Sequence, residues 1–467
     1  MKKIYTFFIV TSFCLYGIRS FSQVISVDTI LYNGDISKLI NIVMVGDGYT
    51  SSEMTKFITD VNSVKNYYFT QAPFSNYENY FNVFAIKVQS DQSGVNHPGT
   101  TSDSDCPGVP VSTVNNYFGS SFDSYAIHRL VCLQHYDSAA NVLADNFPQY
   151  DIVLFIVNSP YYGGSGGLYA LSTTNTNSGD VSVHEIGHSF GDLADEYWAG
   201  YKSEAANATQ QSNPALIKWK NWLYDNGIGI YSYSEDPTWF RPHQNCKMRY
   251  LNVPFCSVCT EALIENIHNL VNSIYSYSPS NSSTIIANAT MLDFSLNLLK
   301  PIPNTLKTEW KLNGVLKSAN TDTLQINPDS LTNGIHHLVA TVIDTTVLTR
   351  SDSHWTTHIY NIIWDIDKTT TGINVNAESC STGIQVYPNP FADKLNISYY
   401  IEKDKKVIID IIDVNGKILK KVVNKKQSAG AYELIIESSD IGNTSGIYFI
   451  KFSFDNNIIV KSIVQER

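Results

Sequence analysis

The chain has 467 residues, too many for one ordinary domain and enough for about two to four. With 43% hydrophobic and 16% charged residues it can bury large cores, and most of it should fold. A net charge of −11 argues against nucleic acid as a partner, because phosphate contacts need a basic surface.

Residues 1–22 read as a secretion signal. Lys2 and Lys3 precede an apolar run from Ile4 to Ile18, and Ser20 and Ser22 flank a cut before Gln23. That run is short for a membrane span, and no later stretch is long and apolar enough, so the mature chain is expected to carry no transmembrane anchor. Once Cys14 leaves with the signal, Cys106, Cys132, Cys246, Cys256, Cys259 and Cys380 remain. Export favours disulfides: Cys106 with Cys132 as a loop staple, and Cys246 with Cys256 or Cys259. Cys256 and Cys259 form a C-x-x-C, but with no second such pair it is a weak zinc-ribbon signal.

The run from Lys38 to Gly46 reads as a buried strand entering a turn at Gly46-Asp47-Gly48. A helix should follow, capped by Ser51 or Ser52, with Met54, Phe57, Ile58, Val61 and Val64 on one face. Strands are expected at Asn82 to Val88 and Asp151 to Asn158, separated by a long loop from Ser90 to Thr113. The glycine-rich stretch from Tyr161 to Ser172 lacks the Gly-Lys-Ser/Thr ending of a phosphate loop. It reads as a turn feeding an edge strand that could pair with an extended substrate.

The stretch from Val181 to Tyr197, VSVHEIGHSFGDLADEY, carries the chemistry. His184 and His188 stand one helical turn apart and so share a face, with Glu185 beside the first. Two imidazoles at that spacing can hold one Zn2+, and a third protein ligand leaves a position for water. Glu185 is the candidate general base, taking a proton from that water and delivering it to the leaving amine. A continued helix would put Asp195 ~16 Å along the axis from His184. The chain must therefore turn back, and Gly191 is the residue expected to permit it. Asp195 is the first choice for third ligand, Glu196 the second and His243 the third. Asp195 could instead cap a helix or bind structural Ca2+.

Beyond this helix, Lys202 to Arg241 should be irregular and packed by Trp219, Trp222 and Trp239, and Cys256 to Leu270 should form a closing helix. Turn signals and alternating runs from about Thr284 to Ile366 suggest a β-sandwich, and a polar linker separates it from a last β-rich module. His336, His337, His354 and His358 are expected on strands of that sandwich, at its surface or edge.

The Gly after the His pair and a later Met resemble the metzincin clan. The resemblance makes Met248 the floor of a turn beneath the zinc, and Tyr250 a zinc ligand or oxyanion stabiliser. The third His of that clan falls here on Ala194, one position before Asp195. A closer resemblance is to the IgA-type zinc metallo-endopeptidases. It rests on NIVMVGDGYT at Asn41, FNVFAIKVQS at Phe81, YGGSGG, HEIGHSFGDLADEY, and RPHQNCKMR followed by FCSVC, spanning about Leu39 to Thr260. Val386-Tyr-Pro-Asn-Pro390, Asp413-Val-Asn-Gly-Lys417 and Gly446-Ile-Tyr-Phe-Ile450 resemble a type IX secretion sorting domain.

The expected architecture is α+β. A metzincin-like peptidase domain with a mixed sheet and an active-site helix occupies 23–280, an Ig-like sandwich 281–368, a linker 369–383 and the sorting domain 384–467. The resemblances imply a zinc endopeptidase acting on an extended segment of a protein substrate, with Ca2+ as a further candidate ion. They also imply the type IX machinery as partner, export through the periplasm of a Gram-negative bacterium, and a secreted or surface-attached product. The competing expectation is a surface adhesin or glycan-binding protein with a degenerate peptidase domain.

Overall fold

The computed structural model describes residues 25–104, 106–287, 291–368, 384–413, 416–442, 444–454 and 457–466. The expected signal peptide, the linker and Cys380 lie outside the described residues. The chain divides into two compact units, residues 1–369 and 370–467.

The first unit opens with a six-stranded sheet. Its strands are β1 (Val27–Leu31), β2 (Ile40–Asp47), β3 (Phe81–Ile86), β4 (Ile152–Val157), β5 (Gly164–Ser165) and β6 (Ala170–Thr173), in the order β1-β3-β2-β4-β6-β5. The four central strands are parallel, and β1 and β5 run antiparallel at the two edges. Side chains alternate across a strand, so β2 feeds two cores. Ile40, Ile42 and Met44 join Val183, Ile186 and Leu263 on one face. Val43 and Val45 join Phe118, Phe122 and Leu143 on the other. Covering both faces is why this strand reads as one unbroken apolar run. At its end Asp47 is fully buried and accepts from Phe118 N at 3.0 Å and Ser120 N at 3.1 Å, tying the long loop to the sheet.

Four helices pack around the sheet: α1 (Met54–Tyr68), α2 (Tyr136–Asn146), α3 (Ser178–Gly191) and α4 (Ser257–Leu270). The turn before α1 is capped by Thr50, not Ser51 or Ser52. Thr50 N and Oγ1 both donate to Glu53, completing a capping box. In α3, Val183, Ile186 and Phe190 form the buried stripe, and His184 and His188 occupy a neighbouring face. Between α3 and α4 the chain is mostly irregular, with a small ribbon of β7 (Tyr231–Ser232) and β8 (Phe240–Arg241) and with Trp219 and Trp222 buried.

The same unit continues into two further sheets. They comprise β9 (Ile274–Ser278), β10 (Ile285–Ile286), β11 (Leu292–Leu298), β12 (Leu306–Leu312), β13 (Val315–Ala319), β14 (Thr323–Ile326), β15 (Ile335–Asp344) and β16 (Ile359–Asp367). The orders are β10-β16-β15-β12-β13 and β14-β11-β9, and one core around the stacked Trp310 and Trp364 serves both. Strand β9 pairs with β11, so this region begins before the boundary expected at residue 281.

His354 and His358 correct an expectation. His336 and His337 are on β15, but His354 starts the short helix α5 (His354–Thr357) and His358 ends it, both buried. They hydrogen-bond the two oxygens of Glu265 on α4 at 2.8 and 3.0 Å. Nearby, the buried Asp344 accepts from Tyr77, Thr305 and, at 3.1 Å, His268. This polar network joins α4 and the first sheet's surroundings to the second β region.

The second unit holds β17 (Gln385–Tyr387), β18 (Lys394–Ile401), β19 (Lys405–Ile412), β20 (Ile418–Gln427), β21 (Gly430–Glu437), β22 (Gly446–Phe454) and β23 (Asn457–Gln465). They form sheets β17-β18-β21 and β20-β19-β22-β23 sharing one apolar core. No helix among the described residues is long and apolar enough to cross a membrane.

Candidate metal centre

Helix α3 presents His184 Nε2 and His188 Nε2 only 3.2 Å apart. Asp195 Oδ1 lies 3.1 Å from the first and 3.3 Å from the second. The other ring nitrogens are already committed. His184 Nδ1–H donates to Lys247 O at 2.8 Å, and His188 Nδ1–H donates to Leu193 O at 2.6 Å. In the neutral tautomer each Nε2 therefore turns a lone pair toward the carboxylate oxygen, and the three atoms form a triangle of donors that can close on one cation, or share protons between the imidazoles and Asp195. A tetrahedral zinc with arms of ~2.0–2.1 Å has ligand–ligand edges of ~3.3 Å, so the donor set and its size fit that ion. The carbonyl partners set each tautomer, as a metal-ligating imidazole requires.

The electrostatics favour positive charge here. Burial alone would push the His184 imidazole down, but Asp195 and Glu185 overcome it and raise it to about 9. Burial would likewise raise Asp195, yet hydrogen bonds from the two imidazoles hold its carboxyl far below the usual range. Glu185 is held above its ordinary value, chiefly by burial.

The return of the chain to the histidines is built differently from the sequence reading. Gly191 is the last residue of α3, and the left-handed residue is Asp192, at φ 48° and ψ 39°. Asp tolerates that region better than most side chains. Gly191 is needed for space instead, since a Cβ there would lie 2.8 Å from Leu263 Cδ2. Asn207 then clamps the returning segment through Ala194 N and O, both at 2.8 Å. Lys202 Nζ, at 2.6 Å, and Tyr233 OH, at 3.0 Å, donate to Asp195 O.

Asp195 and Glu196 diverge. Glu196 is fully buried, its N donates to Met248 O at 2.7 Å, and its carboxylate faces Cys246, Cys256 and Cys259. His243 is not brought to the triad; its Nδ1 accepts from Asn245 N at 3.0 Å. Met248 is fully buried beneath α3, and a Cβ on Gly187 would lie 2.8 Å from its sulfur. Neighbouring Lys247 is pinned by a buried ion pair with Asp180 in the first turn of α3. That pair sets the position of Lys247 O, the partner of His184.

Tyr250 is 49% exposed, its ring packed by the Arg249 guanidinium, and its hydroxyl makes no hydrogen bond to another described residue. Tyr197 and Arg129 interact electrostatically with the site. Asp195 and Glu185 act on the Tyr197 phenol electrostatically, and Arg129 couples to Tyr197, Asp195 and Glu185. Tyr197 closes the stretch read from the sequence but was given no role there, and Arg129 was missed because it lies far from the helix in the chain. The glycine-rich stretch also has a steric cause: a Cβ on Gly166 would lie 2.8 Å from Glu185 Oε2 and 2.9 Å from His188 Cδ2. Beyond it the expected free edge is taken. Gly164 N donates to Arg129 O at 3.1 Å, and Gly164 O accepts from Val131 N at 3.3 Å.

All the cysteines among the described residues are free, so the expected pairings of Cys106 with Cys132 and of Cys246 with Cys256 or Cys259 are not formed. Four ligand groups occur among the described residues, and each contains His or Cys, a donor set suited to zinc more than calcium.

Residues 29–230 match the IgA Peptidase M64 family, and residues 385–466 match the secretion system C-terminal sorting domain. The first match ends before Cys246, short of the Thr260 reached by the motifs. No curated protein matches. Solved structures with some likeness include PorZ, a surface component of the type-IX secretion system of Porphyromonas gingivalis. It is 17% identical over 29% of this chain and 15% of that chain, with a TM-score of 0.15. Fibronectin(III)-like modules of CbhA from Clostridium thermocellum are 12% identical over 40% of this chain and 90% of theirs, at 0.17. A β-glucuronidase of Parabacteroides merdae is 7% identical over 70% and 40%, at 0.19. Scores this low carry no argument.

Proposed function

We propose that this chain, an M64-family peptidase region followed by a type IX sorting domain, is an exported zinc endopeptidase. The sorting domain directs it to a secreted or cell-surface location and to the secretion machinery that reads such tails. The observation that carries the zinc reading is the triangle of His184 Nε2, His188 Nε2 and Asp195 Oδ1, with edges of 3.1 to 3.3 Å and both Nδ1–H groups anchored on carbonyls.

When bound there, zinc supplies Lewis acidity and brings the pKa of water toward ~7. His184 and His188 hold their lone pairs inward because Lys247 O and Leu193 O fix their tautomers. Asp195 offers one anionic oxygen, making a three-ligand set that leaves a position open for substrate. Glu185 accepts the proton of the attacking water and returns it to the leaving amine, and burial tunes its carboxyl upward for that exchange. The Tyr197 phenol is held protonated, chiefly by burial, so with Arg129 it can donate to the oxyanion of a peptide carbonyl. Met248 packs under Gly187 as the floor of a metzincin-like centre. On this reading the sheets around Trp310 and those of the second unit are β-sandwich modules.

Glu185→Gln, assayed against a broad library of extended peptides with zinc content measured in parallel, tests the reading. Cleavage should vanish while zinc stays bound. Undiminished cleavage would sink the mechanism. Wild-type protein that holds no zinc, cuts nothing and binds glycans would favour the adhesin.

A further inference from the structure

We infer that Glu196, Cys246, Cys256 and Cys259 form a second metal site, a closed structural zinc centre separate from the His184–His188–Asp195 triad. All four are buried, and one donor atom from each lies within 4.8 Å of the others. Cys259 Sγ is 3.6 Å from both Cys246 Sγ and Cys256 Sγ. Glu196 Oε1 lies 3.4 Å from Cys259 Sγ and 3.9 Å from Cys256 Sγ. A tetrahedral zinc with sulfur arms of ~2.3 Å has S–S edges of ~3.75 Å, and sulfur–oxygen edges of ~3.5 Å. The four edges that meet at Cys259 Sγ and Glu196 Oε1 are close to those dimensions, and the remaining two are within 4.8 Å. A disulfide needs ~2.05 Å, and pairing any two of the three sulfurs would strand the third beside a buried carboxylate.

Two details of bonding point the same way. Glu196 Oε2 is buried with no hydrogen-bond partner, an orphaned acceptor that a cation would satisfy. Cys256 N–H points at Cys246 Sγ from 3.3 Å, so that sulfur accepts, as a thiolate does. Cys256 is also the N-cap of α4, where the helix dipole favours negative sulfur. Closure of the site would release the thiol protons to solvent.

A separate cluster of His97, Cys106, Asp123 and His128 lacks these features. There His128 Nδ1–H donates to Asp123 Oδ1 at 2.9 Å, Thr100 N donates to Asp123 Oδ2 at 2.7 Å, and the Cys106 thiol can donate to His97 Nε2 at 3.4 Å. Every group has an ordinary partner.

The inferred site explains how the triad is held. One ion would tie the residue after Asp195, the residue before Lys247 and the start of α4 to a single point. It would fix the third ligand, the carbonyl that orients His184 and the Met248 turn together. None of this depends on peptidase activity.

The test uses full-length purified protein and metal alone. Zinc content is compared in wild type, His184→Ala/His188→Ala and Cys256→Ser/Cys259→Ser. Each double variant should lose one equivalent relative to wild type. Reloaded with Co2+, the histidine variant should show intense sulfur-to-cobalt charge-transfer absorption that Cys106→Ser leaves unchanged. Should the cysteine variant fail to fold, alkylation of unreduced, denatured wild type followed by peptide mapping keeps the test alive. Cys246, Cys256 and Cys259 should each be recovered singly alkylated. A disulfide-linked peptide among them, no sulfur-to-cobalt band in the histidine variant, or a band abolished by Cys106→Ser would each overturn the inference.

Discussion

Asp195 and Glu196 are adjacent acidic residues with opposite surroundings. The Asp195 side chain is 19% exposed and completes a three-donor set with two imidazoles; Glu196 is fully buried and completes a four-donor set with three sulfurs. Open three-ligand zinc sites suit catalysis and closed four-ligand sites suit structure. On the proposed reading, one returning segment divides two roles between neighbouring residues. The comparison teaches that a metal site is defined by what surrounds its ligands, and that ligand type alone says little about role.

The largest expected effect lies on the open side. Glu185→Gln should lower kcat by about 10²–10⁴ with metal content unchanged from wild type, because only proton transfer is removed. Single-turnover cleavage beside metal analysis checks this, and loss of zinc along with activity would shift Glu185 from base to structural support. Next comes the pair beneath both sites. Asp180→Ala leaves Lys247 charged, buried and unpaired, which costs about 3–5 kcal/mol. Chemical denaturation should show it. A change under 1 kcal/mol would mean that Lys247 finds another partner and that Asp180 does not hold the turn.

Packing under the open site is the third lever. Gly187→Ala forces a methyl group against Met248 Sδ and should cost about 1–3 kcal/mol. Gly191→Ala, pressing on Leu263 farther from the metal, should destabilise the fold with less effect on turnover, as melting and kinetics together would reveal.

A fourth prediction concerns pH, away from both metal sites. Burial would raise Asp344, but hydrogen bonds from His268, Thr305 and Tyr77 outweigh it and hold its carboxyl below the ordinary value. A depressed carboxyl contributes stability that is full above its unfolded pKa of ~3.9 and is lost as pH falls through the folded value. The melting temperature of the full chain should therefore fall below about pH 4, and Asp344→Asn should flatten that slope. Equal slopes would remove Asp344 as its source.

The smallest effect is expected at Tyr250, in contrast to Tyr197. Tyr250→Phe should change kcat/KM less than about threefold, since an exposed hydroxyl contributes under ~0.7 kcal/mol. Tyr197→Phe should cost about 10²-fold by removing an oxyanion donor. The reverse ranking would restore the role that the metzincin resemblance implies for Tyr250.

Local order was legible in the sequence. The period of 3.6 residues places His184 and His188 on one face, and unbroken apolar runs mark β2 and β4 because helices and loops cover both sides of those strands. The sequence also named Asp195 ahead of Glu196, but spacing could not separate two adjacent carboxylates. That choice depends on Glu196 N meeting Met248 O and on Asn207 clamping Ala194, contacts between segments distant in the chain. The left-handed turn fell on Asp192 because Gly191 was already committed to close packing against Leu263. The cysteines misled because composition and export favour disulfides, while pairing depends on where sulfurs meet. Three sulfurs converge on Glu196, a gathering that only the packing of α4 against the returning chain decides.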